Sequence, residues 1–378
     1  MRESLKIPAV VFAMIFLIAV LSAIAFFLYG PEDGLVTTPD LAPDEYISSY
    51  TPSVQYYPAK QWKKALEPEM LGWSSEKLEK AREYFKQLKS VAAMVIENGI
   101  IVAEWGDTTN RYKIHSMRKS ILSALFGIAV AQGQVDISST LQELGIDDVP
   151  PALTVMEKQA RVSDLLKARS GIYHEAAYET SSMRKKRPAR GSHAPGTFWY
   201  YNNWDFNALS TIYQKTTGSD MFEAFERQIS DPLQMQDFRL KDTEYYRSSV
   251  SRHPAYLFRM SSRDLARFGL LYLRQGRWKD KQVLQQDWVK QSTTSYSDTR
   301  KKGRYSGYGY LWWVGEAAMV AAGKGGQRVF VLPEKNIVFV HLVDTNVRGN
   351  KVKGKKITRL LKLVLEAKSR QHAIEGKS

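Results

Sequence analysis

The chain has 378 residues, of which 44% are hydrophobic and 12% aromatic, a composition that supports a large core and excludes disorder of the whole. It has no cysteine, which excludes disulfides, thiolate catalysis and cysteine-bound zinc. The formal net charge is +15, but the basic residues are spread out apart from Arg184-Lys185-Lys186-Arg187 and Lys351 to Lys356, and without a nucleic-acid module they read as a solvated basic surface rather than a nucleic-acid site.

The chain opens with an uncharged, almost wholly apolar run from Ile7 to Gly30. Roughly 20 residues of helix cross a bilayer. Arg2 and Lys6 precede the run, and Glu32 and Asp33 follow it, so the charge bias places the rest of the chain outside the cytoplasm. Ala23-Ile24-Ala25 has the form of a signal-peptidase site, yet Phe26-Phe27-Leu28-Tyr29 carries the apolar run past it. The expectation is an uncleaved single-pass anchor over residues 1–30 in a bacterial inner membrane. Residues 31–67, rich in Pro, Asp, Ser and Tyr, read as a linker. The oligomeric state is not legible.

From residue 68 the pattern becomes that of a folded domain running to residue 378. Ser75 to Leu88 predicts an amphipathic helix. Ala92 to Glu97 and Ile100 to Trp105, separated by Asn98-Gly99, predict a hairpin. Ser116 to Gln132 is small and apolar on most faces and predicts a buried helix. Residues 135–300 read mainly as helices and long loops. Strands return at Gly309 to Val314, Arg328 to Leu332 and Ile337 to Val343, and a basic helix over Lys355 to Lys368 ends the pattern. Strands at both ends with helices between predict an α+β fold. One antiparallel sheet is built from both chain ends, with flanking helices and a mainly helical insertion.

Three pairs have Ser-x-x-Lys spacing: Ser74/Lys77, Ser116/Lys119 and Ser182/Lys185. Context separates them. Ser116 opens the buried helix, where a serine and a lysine three residues apart share a face and the helix dipole is positive. A lysine desolvated there loses its proton more easily and can take that of the serine. Ser182 lies in a polar charged loop, and Ser74 precedes an exposed helix.

The second element is Pro195-Gly196-Thr197-Phe198-Trp199-Tyr200-Tyr201-Asn202-Asn203. A tyrosine there can act as acid or base where cations favour the phenolate, and an asparagine can hold a lysine or a substrate amide. Two registers fit, Tyr200/Asn202 and Tyr201/Asn203. The third element is Gly323-Lys324-Gly325-Gly326-Gln327-Arg328, directly before a strand. Its glycines let backbone approach a ligand closely. Read alone, the aromatics of the second element would be core and the glycines of the third a plain hairpin.

Taken in order, Ser-x-x-Lys, Tyr-x-Asn and Lys-x-Gly resemble the three signatures of penicillin-binding proteins and serine β-lactamases. The text between them resembles the branch with class C β-lactamases, D,D-carboxypeptidases, related esterases and 6-aminohexanoate-dimer hydrolases. Val162-Ser163-Asp164-Leu165-Leu166, Arg169-Ser170-Gly171-Ile172, Asp231-Pro232-Leu233 and Ser262-Arg263-Asp264-Leu265-Ala266 are similar to its landmarks. The resemblance runs from about residue 70 to 345 and implies a β-lactamase-like fold. It makes Ser116 the acylated nucleophile, Lys119 its proton partner and Tyr201 a general base or acid. Asn203, Lys324, Gly326 and Gln327 become substrate-binding, with the amides of Ser116 and Gln327 as oxyanion hole. It implies a carboxylic ester or a small amide or peptide as substrate, and no cofactor. Gly325 stands where β-lactamases have a hydroxyl residue, which argues against penicillins.

The six histidines are His115, His174, His193, His253, His341 and His372, and none pairs at metal-ligand spacing, so no metal is expected. A Ser-His-Asp triad through His115 is the weaker alternative, since adjacent helical residues do not face each other. His174 is a candidate for the cleft wall, and Trp312-Trp313 for core and rim. The competing classes are a non-catalytic relative that binds peptidoglycan or a partner, and a basic envelope protein whose motif matches are accidental.

Overall fold

Two β-branched-rich runs that alternate their burial between faces meet at the centre of the molecule. The computed structural model describes residues 46–47, 49–299 and 305–369. Strand β3 (Ala92–Glu97) turns at Asn98 and Gly99, with φ of 51° and 83°, into β4 (Ile100–Gly106). Positive φ at both turn positions is what an Asn-Gly hairpin supplies. From the other end of the chain come β14 (Arg328–Leu332) and β15 (Ile337–Leu342). β15 runs antiparallel to β3, from Ile337 opposite Glu97 to Leu342 opposite Ala92. The expected joining of the two chain ends in one sheet is therefore present.

Among the described residues the sheet has ten strands. Besides these four it holds β1 (Tyr46–Ile47), β2 (Lys64–Ala65), β10 (Ser297–Asp298), β11 (Gly307–Tyr308), β12 (Trp313–Val314) and β13 (Met319–Ala322), in the order β1-β2-β4-β3-β15-β14-β13-β12-β11-β10. β2 runs parallel to both β1 and β4, so the sheet is mixed rather than purely antiparallel, and the stretch read as a linker supplies its edge. β3 and β15 are buried at every position, as strands covered on both faces must be. On one face Ala93, Val95 and Phe339 pack with Leu78, Phe85, Leu360 and Val364 of helices α1 (Ser75–Lys86) and α9 (Gly354–Ala367). On the other, Met94, Ile96, Val338 and Val340 join a larger core with α2 (Arg118–Ala131), α5 (Asn203–Thr217) and α7 (Ser262–Leu273).

Helix α2 is buried on nearly all sides, as its composition predicts. A Cβ on Gly127 would stand 2.3 Å from the Trp288 ring, so only glycine lets α2 pass α8 (Gln286–Ser292).

Residues 135–300 depart from the helical expectation. They contain α3 (Val162–Leu166), α4 (Ser181–Lys186), α5 and α6 (Met221–Phe225), but also the hairpin β6 (Thr243–Ser248) and β7 (Ser251–Met260). β7 pairs with β5 (Tyr112–Lys113), two residues before the Ser116 turn. A second short hairpin, β8 (Arg277–Trp278) with β9 (Lys281–Gln282), follows α7. Arg247, Arg252, Pro254 and Arg259 break the apolar pattern of the β6–β7 run, and proline in particular argues against a strand when read from sequence. Of the single strand expected over Gly309 to Val314 only Trp313–Val314, β12, is strand; Gly309 to Trp312 form a tight turn from β11, with Leu311 at φ 64°. Among the described residues no helix is long and apolar enough to cross a membrane; the expected anchor at residues 7–30 lies outside them.

Candidate active site

The nucleophile candidate sits in a strained turn at the head of the buried helix. His115–Met117 form one 3-10 turn that runs into α2, and His115 has φ 51°. That conformation is sparsely populated by residues with a Cβ. It redirects the chain from β5 into the helix and leaves Ser116 half-buried at the helix amino terminus, where unpaired amides cluster.

Lys119 lies one turn on and donates from Nζ to Ser116 Oγ at 2.8 Å. Its side chain is 1% exposed and lies over the rings of Tyr201 and Phe206, at 4.9 and 4.7 Å from their centroids. Burial first, and then the Arg118 cation, push the Lys119 amine well below the usual lysine range. A lysine poised toward its neutral form and touching a serine hydroxyl can accept that hydroxyl's proton.

Tyr201 completes the group, with its phenol close enough to Ser116 for the serine hydroxyl to favour the phenolate. Phe206, Trp313 and Tyr308 surround its ring at 4.8, 5.5 and 6.0 Å. Burial raises the phenol, against the opposing pull of the Ser116 hydroxyl and of Arg118 and Arg328. At neutral pH it is a phenol that can donate, not a resting phenolate. The alternative register does not reach Ser116. Tyr200 donates to Met183 O at 2.8 Å, and Asn202 caps α5 by accepting from Trp204 N at 3.1 Å.

Asn203 Nδ2 donates to Tyr178 O at 2.8 Å and not to Lys119, and its Oδ1 is buried without a hydrogen-bond partner. Tyr178 in turn spans the residues that flank Ser116. Its ring lies 5.5 Å from the Arg118 guanidinium, and its hydroxyl is 3.4 Å from His115 Nδ1.

The third element packs against the Ser116 turn. A Cβ on Gly323 would stand 2.3 Å from Ile114 O. Gln327 is fully buried; its Nε2 donates to Lys113 O and Val343 O at 2.8 and 2.7 Å, and its Oε1 accepts from Val343 N at 2.9 Å. That side chain ties the third element to the segment before Ser116. Arg328 Nη1 donates to the carbonyls of Gly323 and Gln327. Lys324 is exposed and borders a groove of about 460 Å³ with Tyr178, Arg184 and Tyr246. Gly325 and Gly326 hold φ of 87° and 124°. A Cβ on Gly325 would meet Thr345 Cγ2 at 2.4 Å, so Thr345 fills the space of the missing side chain. The Thr345 hydroxyl is bonded to His115 Nε2 at 2.7 Å.

The decoys separate cleanly. Ser182 and Lys185 lie on α4, a helix rather than the expected loop, with no buried residue. Ser74 caps α1 by accepting from Lys77 N at 3.3 Å. His174 is buried between Asp148 and Glu157, at 3.9 and 3.7 Å, not on the cleft wall. Trp312 is core, and Trp313 stacks on Tyr201. His115 faces Thr345 and Tyr178, and desolvation followed by Arg118, Lys324, Lys113 and Lys119 lowers it to about 4. Among the described residues no carboxylate hydrogen-bonds it, so a Ser-His-Asp triad is not assembled there. No group of three or more His, Asp or Glu side chains that could hold a metal ion occurs among the described residues. Arg118, Tyr178, Thr345 and Arg328 were not singled out by the sequence. Arg118 and Arg328 carried a signal, lying inside the Ser-x-x-Lys motif and the third element.

The beta-lactamase family profile matches residues 76–363. No curated protein matches the chain. Solved structures share its fold. A 6-aminohexanoate-dimer hydrolase homologue from Bacillus anthracis is 18% identical with a TM-score of 0.57, over 75% of this chain and 80% of that one. A penicillin-binding protein homologue from Pyrococcus abyssi is 17% identical with a TM-score of 0.58, over 77% of each chain. A beta-lactamase from Mycobacterium bovis is 18% identical with a TM-score of 0.54, over 76% of this chain and all of that one. With most of its length matched by the family profile, this chain belongs to the beta-lactamase family.

Proposed function

We propose that the protein is a serine hydrolase working through an acyl-enzyme on a carboxylic ester or a small amide or peptide. The observation that carries this reading is the 2.8 Å contact between Ser116 Oγ and a buried, pKa-lowered Lys119. Neutral Lys119 takes the Ser116 proton as Oγ adds to the substrate carbonyl. The amides of Ser116 and Gln327 bind the oxyanion, each such donor being worth about 10²–10³ in kcat. The Tyr201 phenol protonates the leaving group and is reprotonated by the Lys119 ammonium. Water then releases the acyl group by the reverse proton path.

Simple acyl groups are favoured over penicillins. Position 325 has no hydroxyl, the Thr345 methyl fills its place, and the Thr345 hydroxyl is already bonded to His115. A charged hydrogen bond to a substrate carboxylate, worth about 1.5–3 kcal/mol, is missing at this position. The aromatic surface offered to an acyl or alcohol group is narrow: Trp204 is wholly buried with Nε1 on Asp148, and Phe198 stacks on His193, leaving Trp199 and Trp313 near Tyr201. Steady-state rates on p-nitrophenyl butyrate and nitrocefin test the preference. Ester turnover with slow or absent nitrocefin turnover is expected; efficient nitrocefin turnover beside a dead ester reaction would reverse it, in favour of a β-lactamase. A D,D-carboxypeptidase is the amide alternative, read out by D-alanine release from D-Ala-D-Ala peptides.

The apolar run of residues 7–30 supports a single-pass anchor that holds the catalytic domain outside the cytoplasm. Removal of residues 1–30 is expected to give a soluble, folded and active domain. Loss of activity or aggregation of that truncated chain, with the full chain active, would make the segment part of the fold.

A further inference from the structure

His341 is fully buried on β15, between its neighbours Arg328 on β14 and Ala93 on β3. Burial, opposed by the Gly326 hydrogen bond and reinforced by Arg328, lowers its pKa to about 4, so the ring is neutral at pH 7. Nδ1 lies 2.8 Å from Gly326 O, and Nε2 lies 2.7 Å from Ser90 Oγ. A carbonyl oxygen only accepts. In a neutral ring the single N–H is therefore on Nδ1, and Nε2 accepts from the Ser90 hydroxyl. One tautomer satisfies both contacts.

The carbonyl held in this way belongs to the Gly326–Gln327 peptide. That peptide is trans, so its C=O and N–H point in opposite directions. His341 stands on the β15 side of the segment. The Ser116 turn packs on the β13 side, through Gly323 against Ile114. We infer that His341 is a positioning residue: by donating to Gly326 O it holds the plane of this peptide, aims the Gln327 amide toward Ser116 and polarises it. This rests on the hydrolase reading above, in which the Gln327 amide binds the oxyanion. Consecutive glycines at φ 87° and 124° leave the peptide little steric preference of its own. The Gln327 side chain and Arg328 secure the next residue and its carbonyl, whereas His341 alone among these holds Gly326 O. An outer partner that orients a reacting donor is worth about tenfold or more.

The experiment compares wild type, His341→Leu and His341→Asn on p-nitrophenyl butyrate and on phenylboronic acid, whose adduct with Ser116 places an oxygen between the two amides. In His341→Leu, kcat is expected to fall about tenfold or more with KM within about twofold, and boronate affinity to fall by a similar factor. His341→Asn, which keeps an N–H for Gly326 O, is expected to recover most of both. A folded His341→Leu with unchanged kcat and boronate affinity, or an Asn variant as impaired as Leu, overturns the inference. Should the substitutions prevent folding, long-range 1H–15N spectra of wild type decide. A neutral His341 protonated on Nδ1 supports the inference; the other tautomer or an imidazolium overturns it. A folded wild type that neither hydrolyses the ester nor binds the boronate removes the hydrolase reading itself, and this inference with it.

Discussion

Ser116→Ala is expected to lower kcat on a p-nitrophenyl ester by about 10³-fold or more, with the thermal unfolding temperature shifted by only a few degrees. The turnover loss follows from geometry. Ser116 Oγ is the only hydroxyl in contact with Lys119 Nζ among the described hydrogen bonds, and no second nucleophile stands beside it in the turn. The small stability effect follows from the site being half-buried. The variant removes one hydrogen bond, worth about 1 kcal/mol net, and makes no cavity larger than an oxygen. Ser182→Ala is the matched control. It carries the same Ser-Met-Arg-Lys tetrapeptide on a helix with no buried residue, and it is expected to leave both quantities unchanged. Near wild-type turnover in Ser116→Ala would remove the central claim.

Lys119→Arg is expected to be as damaging as Lys119→Ala, at about 10³-fold or more in kcat/KM. The two side chains carry the same charge in water, so a purely electrostatic role would tolerate the exchange. The enclosed site between Tyr201 and Phe206 does not. Arginine stays protonated in proteins and cannot accept the serine proton, and its planar fork is larger than the space the ammonium fills. The pH profile gives the sign. The Lys119 pKa is lowered, chiefly by burial, and the reactive form is the neutral amine. Activity therefore falls as pH drops through that lowered pKa, and it is already present well below the usual lysine range. A profile that rises only near the ordinary lysine pKa, or an active Lys119→Arg, would mean that proton abstraction runs through another group.

The legible parts of the molecule were those fixed by local chemistry. The Asn98-Gly99 hairpin, the buried helix after Ser116 and the two strands around Pro333 to Asn336 were readable because turn residues and apolar runs act over a few positions. The Ser116/Lys119 contact was readable because both residues lie on one turn. The choice of Tyr201 over Tyr200 needed the family resemblance, in which Pro195-Gly196 fixes the register, since the residues of the second element alone do not say which tyrosine turns inward. The β6–β7 hairpin was missed because Arg252, Pro254 and Arg259 hide its alternation. A long-range partner, β5, gives it a sheet to join. Asn203 was named as a substrate-binding residue by resemblance, and the hydrogen bond of its amide to Tyr178 could not be read from the sequence. Thr345 and His341 were out of reach for the same reason. Each meets the third motif only after β15 has been laid beside β14, and sequence spacing carries no trace of that pairing.

Intact-mass analysis tests the central claim most directly. The domain lacking residues 1–30 is mixed with a slowly deacylating p-nitrophenyl ester, quenched in acid within seconds and weighed, then digested to locate the added mass. The account predicts one acyl group on the peptide containing Ser116 and none on the Ser116→Ala protein. Turnover of the ester with no adduct at any quench time, or an adduct that persists in Ser116→Ala, would contradict it.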